Sequence, residues 1–328
     1  MRAFITPNVF RRLAIVTLAS VYFLILVGGI VRPSGAGMGC PDWPKCFGQW
    51  IPPTDVSQLP SNYQEIYAHR GYADTEFNAV KTWTEYINRL IGATIGLLIF
   101  LTMIASFAYW STDRLTVALG AIAFVLVAFN GWLGSVVVAS NLVPIIITLH
   151  MVAALVLVCV LIYAVARTHR HSLPRGLRPP ARFAGMLMVF ALALSLLQIV
   201  LGTQVREHVD EIAVNLGNEN RDLWIKHFGT TFHVHRTFSL LILVINVALA
   251  ATLWKAAGPG VIIAEIAAGT GLYYLGMPAW LQPTHLLLGA ALFGLQFFLL
   301  VAYCFASTSC AVANVSAATP LTSQRIDS

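Results

Sequence analysis

The sequence predicts an all-α membrane protein of eight transmembrane helices, arranged as two tandem, pseudo-symmetric four-helix bundles. The chain of 328 residues is 58% hydrophobic and only 10% charged, and few soluble folds could bury that much apolar surface. Eight apolar runs approach or exceed the roughly 20 helical residues that cross a hydrocarbon core of about 30 Å. The formal net charge of +6 is therefore assigned to loops at the membrane surface, and no nucleic-acid partner is expected.

The predicted spans lie near residues 11–31, 83–109, 115–138, 143–166, 182–205, 231–254, 260–278 and 281–306. The seventh span is the weakest because it is short and contains Glu265. No small-residue cleavage site follows the N-terminal segment, so we expect the first span to be an uncleaved helix. An Arg-rich loop divides the chain into an N-terminal half, residues 1–170, and a C-terminal half, residues 171–310. Residues 311–328 are expected to form a disordered tail.

Basic residues set the expected orientation, because cytoplasmic loops of membrane proteins are enriched in Lys and Arg. The loop after the fourth span has no acid and contains Arg167, Arg170, Arg175, Arg178 and Arg182. Arg11 and Arg12 precede the first span. With eight spans these basic segments fall on one side, so we expect both termini in the cytoplasm and a multi-pass location in the plasma membrane. Segments 33–81 and 206–230 are then outside.

Two cysteines lie close together in the first outer segment. Cys40 and Cys46 flank the sequence PDWPK, and an oxidising compartment permits a disulfide between them. The alternatives are two free thiols, or a metal-binding pair that lacks its other ligands. The sequence favours the disulfide.

The two halves of the sequence repeat one another at several polar positions. The first span ends GGIVR and the fifth ends GTQVR, each with a Gly four residues before an Arg. An interval of sixteen residues separates Gly134 from His150 and also Gly269 from His285. Because each half starts on the same side, this is a parallel repeat about an axis along the membrane normal. Superposition brings four residues into register: Asn88, His150, His235 and His285.

These four positions share one depth, within about two turns of the outer start of an even-numbered helix. A histidine inside a bilayer usually pairs with or ligates another group. Two imidazoles without further ligands are too few for zinc, but they match the two axial positions of a heme in a four-helix bundle. The sequence therefore predicts a six-coordinate heme on His235 and His285, and plain hydrogen bonding between helices is the alternative. His233 competes with His235, but it faces roughly 200° away and is out of register with Asn88.

The N-terminal half offers only His150 as a ligand. A heme there would be five-coordinate, with Asn88 on its open side. Glu85 precedes Asn88 by three residues and so lies on nearly the same face of the helix, whereas its counterpart in the second half is Phe232. The sequence thus predicts one closed, electron-carrying heme and one open site beside a carboxylate, an asymmetry that favours chemistry over storage.

The sequence resembles the heme A synthase family of membrane enzymes over nearly all of residues 11–306. The resemblance rests on the two-half plan and on five motifs: GGIVRPSGAGMGCPDWPKCFGQW, EYINRLIGA, LGTQVREHVD, HVHRTFS and PTHLLLGA. It implies oxidation of a methyl group of heme O to the formyl group of heme A through hydroxylated intermediates. It also implies a b-type heme on His235 and His285, substrate heme on His150, a functional Glu85, and a heme O-supplying farnesyltransferase as partner.

Two departures from the family pattern stand out. Asn88 occupies the position where the commoner pattern has His, and segment 206–230 lacks a second cysteine pair. Either the enzyme works on a five-coordinate substrate, or this half has lost catalysis; Glu85, Arg89, His150 and the cysteine loop favour the first. A membrane electron acceptor is expected, and the sequence leaves a homo-oligomer open.

Several charged residues have competing interpretations. Four arginines near the outer surface are candidates for binding heme propionates or for simple interfacial snorkelling: Arg32, Arg89, Arg206 and Arg236. Glu85 is interpreted as catalytic, with a helix-capping role as the alternative. Glu265, which takes the place of Asn130 in the repeat, favours an interhelical hydrogen bond over a proton path.

Two other function classes remain as alternatives. A b-type electron-transfer protein without heme-modifying activity predicts paired histidines in each half, which Asn88 contradicts. A transporter predicts broken helices and polar residues at the midplane, whereas this polar cluster is shallow.

Overall fold

The computed structural model describes residues 5–170, 172, 182–216, 221–253 and 260–317, and eight long or apolar helices dominate these ranges. They are α1 (Pro7–Val31), α2 (Ala79–Ser106), α3 (Arg114–Ala139), α4 (Pro144–Thr168), α5 (Arg182–Leu216), α6 (Thr230–Leu253), α7 (Gly260–Tyr274) and α8 (Leu281–Ala317). Two one-turn helices, Tyr63–Ile66 and Arg221–Trp224, lie in the connections that follow α1 and α5.

The predicted fold class is confirmed. Within the described ranges, seven helices are long and apolar enough to cross a membrane. The remaining one, α7, is apolar but has only 15 residues, in agreement with its weak signal in the sequence. The protein is therefore a multi-pass, all-helical membrane protein.

Two helix ends differ from the prediction. Helix α5 continues to Leu216 instead of ending near residue 205, because Val205, Val209 and Ile212 keep a helical apolar spacing and pack against Trp224. Helix α8 continues to Ala317, so residues 311–317 are helical and the tail was predicted to begin too early. That segment contains neither Gly nor Pro to end the helix. Residues 318–328 lie outside the described part of the chain, as do Arg175 and Arg178 of the Arg-rich loop.

Local sequence signals define the helix starts. The Thr6 hydroxyl accepts a hydrogen bond from the Val9 N–H at the N-terminus of α1, and Pro7 occupies the first turn. Asn78 caps α2 by accepting a hydrogen bond from the Lys81 N–H. Both are standard N-terminal signals, because they satisfy or remove backbone donors that the helix itself cannot pair.

The N-terminal half is a closed ring of four helices. Helix α1 packs on α2 and α4, and α3 packs between the same two helices, around a core that includes Val21, Ile99 and Leu161. In the C-terminal half α5 packs on α6 and α8, and α7 packs on α8. The halves meet where α8 contacts α1 and α4, and where α4 contacts α5. A buried hydrogen bond of 2.8 Å between the Thr148 and Thr203 hydroxyls crosses that last contact.

The segment between α1 and α2 folds as a compact cap around Phe47. The Phe47 ring makes edge-on contacts with Tyr63, Tyr67, Tyr72 and Phe77. The Tyr72 hydroxyl donates a hydrogen bond of 2.6 Å to the Met38 carbonyl. Burial raises the pKa of Tyr72 well above its ordinary value, and the nearby Glu85 carboxylate adds to the rise. The phenol is therefore neutral and serves as a donor that fixes the cap.

An ion pair joins α4 to the start of α3 at the opposite end of the bundle. Arg167 Nε lies 2.7 Å from Asp113 Oδ2, and Arg167 Nη2 lies 2.9 Å from Asp113 Oδ1. The Thr116 hydroxyl also donates to Asp113 Oδ2, at 2.8 Å. The hydrogen bonds from Arg167 lower the pKa of Asp113 below its ordinary value of 3.8.

We predict that Asp113→Asn destabilises the protein at pH 7 by about 1–2 kcal/mol, the usual size for a two-point hydrogen bond to a charged group. A group whose pKa is lowered by folding stabilises the fold above its ordinary pKa, and that contribution is lost as pH falls through the folded-state pKa. Thermal unfolding of both proteins at stepwise lower pH should therefore show the difference narrowing below about pH 4. Asp74→Asn, at an exposed acid, is the control. A difference that is independent of pH contradicts this account.

Candidate functional site

The four positions that the repeat brings into register each face a glycine on a neighbouring helix. In the N-terminal half, a Cβ built at Gly28 would lie 3.7 Å from Asn88 Oδ1, and one built at Gly134 would lie 3.5 Å from His150 Cε1. In the C-terminal half, a Cβ built at Gly202 would lie 3.3 Å from His235 Cε1, and one built at Gly269 would lie 3.1 Å from His285 Cε1. The missing side chains leave room for the imidazoles and the amide inside the bundle. The repeat seen in the sequence is thus a repeat of side-chain contacts in the structure.

His235 and His285 approach each other across the C-terminal half. Their ring centroids are 6.5 Å apart and their planes are nearly perpendicular, at 87°. His235 is partly buried whereas His233 is exposed, so the structure brings His235 and not His233 to the pair. Gln198 on α5 donates a hydrogen bond of 3.0 Å to the His235 carbonyl and thereby holds this turn of α6.

The centroid separation of this pair is compatible with a metal ion between the two rings. A metal–imidazole bond is about 2.0–2.1 Å long, and two such bonds plus the radius of each ring account for the observed centroid separation. Among the described residues no group of three or more His, Cys, Asp or Glu is arranged to hold a metal ion. A heme, which supplies four nitrogens of its own and needs two axial ligands, therefore fits these residues better than a metal held by protein ligands alone.

The N-terminal half presents one histidine and one amide in the matching places. His150 Nδ1 and Asn88 Oδ1 are buried and have no hydrogen-bond partner within the described part of the chain. Buried polar atoms normally find partners, so both are available to a ligand or to water. Among the described residues, this site presents one imidazole at the positions where the other half presents two.

Glu85 is buried, with 4% of its surface exposed, and it holds the cap against α2. Its Oε2 accepts a hydrogen bond of 2.8 Å from the Cys40 N–H, and its Oε1 forms an ion pair with Arg89. Because Asn78 is the N-cap of α2, the alternative that Glu85 caps this helix is wrong. The carboxylate instead joins the helix to the cysteine loop.

Arg89 is fully used by the same loop. Its guanidinium donates to the carbonyls of Asp42, Lys45 and Cys40 and to the Glu85 carboxylate through Nε and Nη2. These contacts account for all five N–H donors. In this arrangement the loop carbonyls and Glu85 occupy the donors of Arg89, and its contact with a substrate propionate stays a prediction.

The predicted disulfide is present. Cys40 and Cys46 are bonded, and both are completely buried in the aromatic cluster of the cap. The disulfide closes the loop whose carbonyls bind Arg89, so the cysteines act together with Glu85 to hold the cap above the N-terminal half.

Arg32 and Arg206, which the repeat relates, share one carboxylate. Arg32 Nη2 and Arg206 Nη2 each lie 2.5 Å from an oxygen of Asp210. This bridge joins the end of α1 to α5 and hence one half to the other. Asp210 is not among the predicted site residues, although an acid four residues after Arg206 on a helix is a recognisable ion-pair signal.

Two of the predicted propionate-binding arginines keep groups free for a ligand. Arg206 Nε is buried and has no hydrogen-bond partner among the described residues. The Arg236 guanidinium lies 5.9 Å from the ring centroids of both Phe232 and Tyr273. Arg206 is one turn from Gly202, and Arg236 adjoins His235, so both lie near the histidine pair.

Comparison with known proteins gives a consistent result. Residues 11–297 match the family described as COX15-CtaA, cytochrome oxidase assembly protein. Proteins named heme A synthase are 32% identical over 47% of this chain in Shewanella oneidensis, 27% identical over 38% in Flavobacterium johnsoniae and 27% identical over 86% in Brucella suis. The match spans 44%, 38% and 86% of those relatives, respectively, so it covers less than half of the first two.

We predict that Glu85→Ala loosens the cap, because it removes the acceptor of the Cys40 N–H and the partner of Arg89. An added thiol should then reduce the Cys40–Cys46 bond about tenfold faster, which corresponds to about 1.4 kcal/mol of easier local opening. Alkylation of the released thiols followed by mass spectrometry measures the rate. Glu76→Ala, at an exposed acid of the same segment, is the matched control. Equal rates for the two variants would show that Glu85 does not hold the loop.

Proposed function

This chain belongs to the COX15-CtaA family of cytochrome oxidase assembly proteins, and from that premise we propose that it is a heme A synthase. The reaction is the oxidation of a methyl group of heme O to the formyl group of heme A through hydroxylated intermediates. The observation that carries the proposal is the contrast between the halves. One has the opposed pair His235 and His285, and the other has His150 with Asn88 in the matching place.

The C-terminal half is proposed to hold a resident b-type heme. His235 and His285 would hold its iron, and the unpaired Nε of Arg206 would bind a propionate, as would Arg236, which follows His235 in the sequence. When bound, this heme supplies one-electron transfer to or from the substrate site. The surrounding helices hold the two ring centroids 6.5 Å apart.

The N-terminal half is proposed to bind the substrate, heme O, through His150. Asn88 then lies on the side without an axial imidazole, where its amide positions the reacting edge or a water. Glu85 is the proposed catalytic carboxylate. Its oxygens accept hydrogen bonds from the Cys40 N–H and from Arg89, and we propose that the same carboxylate holds a water or receives a proton during the reaction. Arg32, at the outer end of α1, is the propionate candidate in this half.

The setting of the reaction follows from the distribution of charge. We propose a plasma-membrane location with both termini cytoplasmic. The cap and the two proposed heme sites would then lie near the outer surface. A farnesyltransferase that makes heme O is the proposed supplier of substrate, and a membrane electron carrier is the proposed acceptor. A simple electron-transfer role is disfavoured because it needs two histidines in each half.

We predict that co-expression with a heme O supply yields heme A, as shown by pigment extraction and chromatography. His235→Ala and His285→Ala should each lower the retained b-type heme absorbance at least tenfold, because one axial bond is lost, whereas the exposed neighbour variant His233→Ala should retain it. His150→Ala should keep that absorbance but abolish heme A formation. Full heme A production by the His150→Ala variant would rule out the substrate site.

We predict that Asn88→Ala lowers heme A formation at least tenfold while leaving the absorbance of the C-terminal heme unchanged. Removal of one positioned hydrogen-bonding group from a reacting site commonly costs a factor of this size or more. Product quantification per unit of purified protein is the measurement. Unchanged product would show that Asn88 has no positioning role, and absence of heme A even from the unsubstituted protein would show that this half has lost catalysis.

A further inference from the structure

The two halves place different side chains beside their matched histidines. In the C-terminal half, His285 Nδ1 lies 3.1 Å from Glu265 Oε1 on α7. His285 Nδ1 and Glu265 Oε2 are both buried and have no hydrogen-bond partner within the described ranges, so the 3.1 Å approach is a close contact that does not meet hydrogen-bond geometry in this structure. In the N-terminal half the position of Glu265 is taken by Asn130, since both lie four residues before the glycine that faces the histidine.

A second difference makes room for the carboxylate. Gly289 lies one turn after His285, and a Cβ built on it would be only 3.2 Å from Glu265 Oε1. The matching residue, one turn after His150, is Ala154. The longer side chain, Glu265, thus occurs together with Gly289, and the shorter Asn130 occurs together with Ala154. Helix α8 has no side chain at Gly289, and the Glu265 carboxylate occupies the space that this leaves.

The carboxylate has a clear chemical reason to lie there. An acid inside a bilayer is costly and is retained where it pairs with another group. A histidine that ligates a metal through one nitrogen usually donates its other N–H to a carboxylate or carbonyl, which fixes the tautomer and raises the basicity of the ligand. The Glu265 carboxylate is placed at Nδ1, which leaves Nε2 of His285 for a metal.

We propose that Glu265 is a positioning residue that accepts the Nδ1–H of His285 and lowers the reduction potential of the heme in the C-terminal half. This inference rests on the proposed function, which places a heme on His235 and His285. A more basic axial ligand stabilises ferric over ferrous iron, because hydrogen bonding around the axial ligand sets the potential of a heme. Asn130, at the matching position of the other half, has no carboxylate to offer His150. Glu265 therefore makes His285 a more basic ligand than His150, although the two histidines occupy matching positions.

A purely structural role for Glu265 is the competing explanation. Helix α7 packs on α8, and an interhelical hydrogen bond would help to hold it there. Loss of such a bond would lower the stability of the protein but would leave the potential of the bound heme unchanged. The potential therefore distinguishes the two roles.

The test is a redox titration of the purified holoprotein, followed by the b-type absorbance. We expect Glu265→Gln to raise the ferrous-to-ferric ratio at a fixed potential about tenfold, which is a shift of about 59 mV for one electron. Gly289→Ala should shift the potential in the same direction, because its Cβ pushes the carboxylate away without removing its charge. The double variant should shift it no further than Glu265→Gln alone, since both changes act on one contact. Ala154→Gly, at the matched position of the other half, is the control and should leave it unchanged.

The outcomes separate this inference from the proposed function. If Glu265→Gln retains its heme at an unchanged potential, Glu265 is structural and the inference is overturned. If that variant does not accumulate, an unchanged potential in Gly289→Ala overturns it equally. If His235→Ala and His285→Ala each retain the full heme absorbance, the proposed function fails, and the inference fails with it.

Discussion

The structure depends on one constraint: polar rings must be accommodated inside an apolar helical bundle that has no water to solvate them. A glycine on the adjacent helix meets this constraint at Gly134, Gly202 and Gly269, where it gives each imidazole the space of a missing side chain. An unpaired polar group in hydrocarbon costs several kcal/mol, so the rings are stable only with a partner or a ligand. This requirement explains why the same glycine-to-ring contact recurs in both halves.

The cap follows from the same need to satisfy buried polar groups. Glu85 is buried and Arg89 is partly buried near the N-terminal end of α2, and the loop closed by Cys40 and Cys46 supplies the backbone groups that satisfy them. Helix and loop are therefore mutually dependent, because neither the ion pair nor the loop backbone could be buried alone. The cap is thereby fixed to α2 in the half that contains His150.

Much of this arrangement was predictable from the sequence, and the exceptions have physical causes. The repeat identified His150, His235 and His285, because the helical periodicity and the equal spacing of residues in the two halves can be read without tertiary information. The hydrogen-bond partners of Arg89 were not predictable, since they include carbonyls of a loop more than forty residues away in the sequence. The bridge through Asp210 was missed for a related reason: α5 extends beyond the span on apolar contacts with Trp224, which hydropathy alone does not reveal.

The duplicated halves have diverged in their cores as well as at their ligands. Seven residues before the glycine that faces His235 lies Ser195, and the matching residue is Val21. Eleven residues after His235 and His285 lie Asn246 and Gln296, which form a buried hydrogen bond of 2.9 Å across the bundle. Their counterparts are the tightly packed Ile99 and Leu161. In this pair the Gln296 amide donates to Asn246 Oδ1, and Asn246 Nδ2 donates to the Ile242 carbonyl, which reduces the cost of burying amides in such a core. Such an exchange requires coordinated changes on two helices, so the C-terminal half is a specialised bundle whose polar interior extends well beyond its two histidines.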